Sequence, residues 1–154
     1  MRSAGLLIWR RSQGLLQVLL VHPGGPFWAK KDGGAWSIPK GLVAENEDEL
    51  KAARREVEEE LGAKVGGRFE RLGEYKQPSG KVVIAWSVEA DADLSVETIR
   101  SNTFVMEWPP RSGLMDEFPE VDKAGWFDLA EAELKILRGQ RSILSDFAKQ
   151  QGEL

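Results

Sequence analysis

Residues Gly41 to Ala63 read GLVAENEDELKAARREVEEELGA, and their spacing carries both the local structure and the chemistry of the chain. Each residue of an α-helix advances by about 100°, so Leu50, Ala53, Val57 and Leu61 share a narrow sector that can face a core. Glu56, Glu59 and Glu60 follow an i, i+3, i+4 spacing and gather beside that sector, while Glu58 turns to the opposite flank. The pattern predicts a helix that starts near Glu47 or Asp48 and stops at Gly62, a residue suited to the left-handed turn that closes many helices.

Like charges at this spacing destabilise a helix by a few tenths of a kcal/mol per pair. Arg55 can reach Glu59 one turn on and relieve part of the repulsion; a cation would relieve the rest. Carboxylate oxygens are hard ligands that suit Mg²⁺ or Mn²⁺, and Mg²⁺ commonly sits between one or two carboxylates, waters and substrate phosphates. A solvated acidic face is the plain alternative for a short acidic run. The complete pattern goes further: Gly41, five residues, Glu47, seven residues, Arg55, Glu56, an aliphatic Val57, then Glu59, Glu60 and Gly62. It resembles the Nudix box of the Nudix hydrolase superfamily. One position departs, since the family usually has a larger aliphatic residue where this chain has Ala63; that affects packing rather than metal chemistry. The preceding Ala35-Trp36-Ser37-Ile38-Pro39-Lys40 also resembles the strand and turn that lead into the box.

Composition narrows the classes. With 154 residues and 42% hydrophobic content, the chain suits a single domain over residues 1–154 that can bury a core. A formal charge of -4 speaks against a nucleic-acid or anionic-membrane binder, so neither a membrane nor a stable nucleic-acid partner is expected. The absence of cysteine removes disulfides, thiol nucleophiles and thiolate zinc sites, and a single histidine leaves little else for zinc. Arg10 to Gly14 split the apolar opening into pieces much shorter than the roughly 20 residues of a membrane span. No leader pattern is evident, and a cytoplasmic location is the expectation. No phosphate-binding Gly-x-x-x-x-Gly-Lys loop or strand-linked Gly-x-Gly-x-x-Gly occurs, which disfavours a kinase, a GTPase or a dehydrogenase.

Ala4 to Trp9 and Leu16 to Val21 read as buried strands joined by a hairpin through Gly14. His22 to Ala35 is a Gly- and Pro-rich loop that carries Phe27, Trp28, Lys30 and Lys31. Strands are expected at Arg68 to Lys76, Lys81 to Ala90 and Thr103 to Trp108, and helices over Leu129 to Leu137 and Gln140 to Gln151. Strands on both sides of a central helix, with helices at the end, indicate an α/β or α+β chain with helices packed on a sheet. The Nudix resemblance implies more: an α/β/α sandwich around a central mixed sheet.

By the same resemblance, Glu56 and Glu60 are principal ligands of Mg²⁺ (or Mn²⁺), Glu59 is ligand or base, and Gly41 offers its carbonyl to the metal. A simple turn before the helix is the other reading of Gly41. Arg55 and Glu47 would support the catalytic glutamates by forked hydrogen bonds. Glu120, six residues before Trp126, is the candidate general base outside the box, although Glu117 and Asp122 stand close by and the stretch also reads as an exposed acidic loop. Lys40, Lys30, Lys31, Lys81 and Arg111 could meet phosphate oxygens, each against a solvated surface role. Trp28, Phe27 and Tyr75 could stack on a base, whereas Trp36, Trp86 and Trp126 lie in core-like strand patterns and His22 reads as a structural loop residue. The resemblance implies hydrolysis of a phosphoanhydride in a nucleoside diphosphate-linked small molecule, a diadenosine polyphosphate or an NTP, by a monomer or homodimer. Clean-up of oxidised nucleotides is the close alternative; a non-catalytic nucleotide sensor and RNA end processing stand further off.

Overall fold

In the first two strands, successive side chains enter two different cores, as the twofold period of a β-strand dictates. The computed structural model describes residues 1–90 and 94–153. Strands β1 (Arg2–Ser12) and β2 (Leu15–Pro23) form an antiparallel hairpin turned by Gln13 and Gly14, both at positive φ. Leu7, Val18 and Leu20 point into one core, and Leu6, Ile8, Leu19 and Val21 into the other. Near-continuous apolar runs are what strands covered on both faces require.

The main sheet runs β4 (Glu70–Lys76), β5 (Val82–Glu89), β1, β2, β8 (Val121–Asp128), with β3 (Lys40–Leu42) also paired to β1. Only β1 with β5 is parallel; β4 with β5 and β2 with β8 are antiparallel, so the sheet is mixed. Helix α1 (Glu49–Leu61) covers one face through Ala52, Ala53, Val57 and Leu61. Helices α2 (Leu129–Lys135) and α3 (Arg141–Gln150) cover the other through Ala132, Ile143, Leu144 and Phe147. This is the expected α/β/α sandwich. Strands β6 (Thr103–Glu107) and β7 (Met115–Pro119) form a separate two-stranded arm.

The differences from the sequence reading have local causes. Ala35 to Ile38 does not form a ladder. Trp36 bridges Ile136 and Ser37 bridges Val21, so the segment wedges between neighbours rather than following one of them. The ladder starts only after Pro39, at Lys40, where β3 takes over the edge of β1 that β2 has left. Helix α2 stops at Lys135, two residues short of Leu137, because Ile136 turns extended to reach Trp36. The strand at Thr103 has a partner, β7, that its polar sequence MDEFP concealed.

Candidate active site

Helix α1 begins where the sequence places it. Asp48 caps it, its side chain accepting from the Lys51 N–H, and Gly62 closes it at φ 71 with its own N–H donated to the Glu58 carbonyl. The helix lies against β1 and β3, and it presses closely on Gly41. A Cβ built there would stand 1.9 Å from Glu56 Oε2. Only glycine lets the β3 backbone and the Glu56 carboxylate share that space.

Arg55 organises the acidic side of the helix. Its Nε and Nη2 donate to the two carboxylate oxygens of Glu47 at 2.8 and 3.0 Å. Nη1 donates to Glu56 at 2.8 Å and to Glu59 at 3.2 Å, and Nη2 also reaches the Leu42 carbonyl at 3.0 Å. One guanidinium thus bridges three carboxylates and the strand beside them, a use of its planar fork that lysine cannot reproduce. Arg55 holds the Glu47 carboxyl down to about 2, helped by the Ala44 N–H, and Arg55 itself is held protonated by these partners, Glu47 foremost.

Glu60 has a different setting. It accepts from the Lys40 backbone N–H at 3.1 Å. Burial pushes its carboxyl up to about 8, against the pull of Lys40, with Glu120 and Glu56 adding to the rise. Burial also raises Glu56, Arg55 opposing it, and lowers the Lys40 ammonium, Glu60 opposing it. These are the marks of desolvated charges crowded into one place. Glu60, Lys40 and Glu120 line a cleft together with Trp28, Ser37, Ile38, Val121 and Leu137.

A family profile for the NUDIX domain matches residues 1–147 of this chain. The chain belongs to the Nudix family. Membership places it among the Nudix proteins, a family of pyrophosphate-bond hydrolases. Among solved structures, a Caenorhabditis elegans Ap4A hydrolase binary complex superposes with a TM-score of 0.68 at 23% identity, over 99% of this chain and 98% of that one. The NUDIX domain of Shewanella oneidensis NrtR complexed with ADP ribose gives 0.64 at 16% identity, over 98% and 88%. A mutT/nudix family protein from Listeria innocua gives 0.63 at 21%, over 99% and 94%. At these identities the likeness is one of fold.

The Nudix fold gathers some of the expected site residues and scatters others. Gly41, Glu56, Glu59, Glu60, Arg55 and Lys40 come together, and Glu120 joins them on β8's approach, close enough for its charge to act on Glu56 and Glu60. Trp28 forms part of the cleft wall. Lys81 is exposed, yet near enough for its charge to oppose protonation of Lys40. Lys30 and Arg111 are exposed and line no part of the cleft, and Arg111 sits in the turn of the β6–β7 arm. Tyr75 requires a correction. Its ring is 8% exposed within the core under α3, and its hydroxyl donates to Asp146 at 2.7 Å, so it offers no face to a base. Trp36 and Trp86 are buried as expected, while Trp126 is only partly buried and carries the Arg10 guanidinium 4.4 Å over its ring. Sequence reasoning missed Ser37, Ile38 and Leu137 in the cleft wall, since nothing local marks a small polar or an aliphatic residue that lines a cleft.

Among the described residues, no three acidic or imidazole side chains form a ready-made metal cage. The donor set nevertheless suits a hard divalent cation: glutamate oxygens from one helix face, and a strand backbone that only a glycine lets come so close to Glu56. Cationic groups already occupy the intervening space, with the Arg55 guanidinium between Glu56 and Glu59 and Lys40 beside Glu60.

Proposed function

We propose that this protein hydrolyses a phosphoanhydride bond of a nucleotide, a dinucleoside polyphosphate before a simple NTP, with Mg²⁺ or Mn²⁺ held by Glu56, Glu59, Glu60 and the Gly41 carbonyl. The observation that carries the reading is a single cleft in which Glu60 and Glu120 stand beside Lys40, with an indole, Trp28, forming another part of the wall. Acidic groups for a metal, an ammonium for phosphate and an aromatic surface for a base are the three things a nucleotide polyphosphate needs. The overall likeness to an Ap4A hydrolase supports the choice of substrate class.

The cation, when bound, supplies charge to the phosphate oxygens and lowers the pKa of an attacking water. Lys40 meets the phosphate chain, and its burial strengthens that attraction by excluding water. Arg55 keeps Glu56 and Glu59 in place through its shared Nη1. Glu120 takes the proton of the attacking water, and Glu59 is the alternative base. The cleft's apolar residues, Val21, Ile38, Val121 and Leu137, keep bulk water from the reacting centre.

The test is product analysis of the purified protein with Mg²⁺ against diadenosine polyphosphates, normal and oxidised dNTPs, ADP-ribose and nucleotide sugars. Glu59→Gln and Glu120→Gln serve as controls. Cleavage that disappears in either control establishes the hydrolase and its substrate class, and loss in Glu120→Gln with Mg²⁺ dependence unchanged in wild type and variant points to Glu120 as the base. Nucleotide binding without any cleavage would replace this reading with a sensor, a role in keeping with the ADP-ribose-bound NrtR domain of the same fold.

A further inference from the structure

His22 is the single histidine of the chain, and at 1% exposure it is fully buried at the end of β2. Its ring nitrogens face two oxygens. Nδ1 is 2.9 Å from Asp122 Oδ1 and Nε2 is 2.6 Å from the Lys31 carbonyl. The ring therefore spans the gap between the Asp122 side chain and the Lys31 backbone, with one nitrogen turned to each.

What it joins is the loop that carries Trp28 into the cleft wall. Lys31 ends a tight turn in which its N–H donates to the Trp28 carbonyl at 2.9 Å. Its ammonium lies 4.0 Å from the Phe27 ring centroid and 5.0 Å from that of Trp28, and the two rings meet edge to face. Asp122 lies on β8, two residues past Glu120, whose own carbonyl accepts from the Gly24 N–H at 2.9 Å. The loop is therefore tied at both ends to the strand that brings in Glu120. The His22 ring also rests edge-on against Trp36. The other charges around this packing are Lys123, whose ammonium lies over Trp36, and Asp32, which accepts from Trp36 Nε1 and pairs with Lys135.

We propose that His22 is a positioning residue: by bridging the Asp122 carboxylate and the Lys31 carbonyl, it locks the Phe27–Trp28–Lys31 loop as the aromatic wall on which the base of a nucleotide stacks. The role of that wall rests on the pyrophosphohydrolase reading above; the bridge itself does not. Two measurements separate them. NMR of protein carrying isotope-labelled histidine observes this one imidazole. A ring N–H protected from solvent exchange is expected, its protection lost in Asp122→Ala; a ring N–H that exchanges freely in the wild type would overturn the bridge whatever the protein hydrolyses.

The second measurement is steady-state kinetics on the nucleotide that the wild type cleaves. Asp122 is 34% exposed, so Asp122→Ala leaves the core intact. It is expected to raise KM about fivefold or more, the low end of what one base–aromatic stack is worth, with kcat within about twofold. Asp122→Asn keeps a hydrogen-bonding side chain of the same shape beside the ring, so it should restore a KM close to wild type. His22→Gln, which keeps a donor toward Lys31, should fall between the two. A loss confined to kcat, or an Asp122→Ala variant with unchanged KM, would overturn the positioning role. A wild type that cleaves no nucleotide would sink the functional reading and leave the His22 bridge to be judged by NMR alone.

Discussion

Gly41 has no room for a side chain, because a Cβ there would collide with the Glu56 carboxylate at 1.9 Å. Gly41→Ala should therefore keep the fold and push Glu56 aside, and displacements of about 1 Å at a catalytic centre cost on the order of 10²-fold in rate. Measuring kcat next to a circular dichroism melt would separate this from unfolding. Arg55→Lys keeps the charge but loses the fork to Glu47. It should cost about 10- to 100-fold in metal affinity or activity, as losing a group that orients ligands usually does, and titration of Mg²⁺ against activity would show it. Tyr75 offers a residue-level pH test, since it is the only tyrosine. Burial and then the Asp146 hydrogen bond raise its phenol above the ordinary value. The folded state thus favours the protonated phenol: the stabilisation is complete below about pH 10, the unfolded value, and fades as the pH climbs through the folded one. Tyrosinate absorbance should rise later in native than in denatured protein; coincident midpoints would contradict the buried placement.

Helix α1 is held by two different means, and each has its own cost. The Asp48 cap satisfies an N–H of the first turn, and Asp48→Ala should lower stability by about 1 kcal/mol. The apolar stripe is the larger part, for Val57 and Leu61 are buried almost completely. Leu61→Ala should cost about 2–5 kcal/mol, as should Ile143→Ala on the opposite face. Urea denaturation of the three variants checks the order. If Asp48→Ala proved as costly as Leu61→Ala, the helix would depend on its cap rather than on packing against the sheet. The chief elements read correctly in the sequence were those with a strong signal of their own: continuous apolar runs in β1, β2 and β5, and helical periodicity in α1 and α3. Strand β3 was missed because three residues carry no period, and β7 because its MDEFP sequence is mostly exposed and gains a partner only across the arm.

At the scale of the whole molecule, a cation that binds only the folded state must stabilise all of it. With Mg²⁺ at 100 times its dissociation constant the gain is about 2.7 kcal/mol, or roughly 5–10 °C in Tm for a domain of this size. Calorimetry with Mg²⁺ and with a chelator measures it. An unchanged Tm, with activity also insensitive to the chelator, would remove the metal from the reading. Among the described residues no helix is long and apolar enough to cross a membrane.

The sequence by itself determined the glutamate-bearing face of α1, its cap and its closing glycine, because helical geometry depends only on neighbours three and four residues apart. The spacing of Gly41 with Glu47, Arg55, Glu56, Glu59 and Glu60 was legible for the same reason and carried the family with it. Only the tertiary structure decided which distant groups meet that face. Lys40 and Glu120 reach Glu60 because β3 and β8 flank the split between β1 and β2, whereas Tyr75, aromatic and near a turn in sequence, goes under α3 instead. His22 shows the limit most clearly. Its two partners lie 9 and 100 residues away, and no local pattern can foretell a bridge that exists only once the sheet has formed.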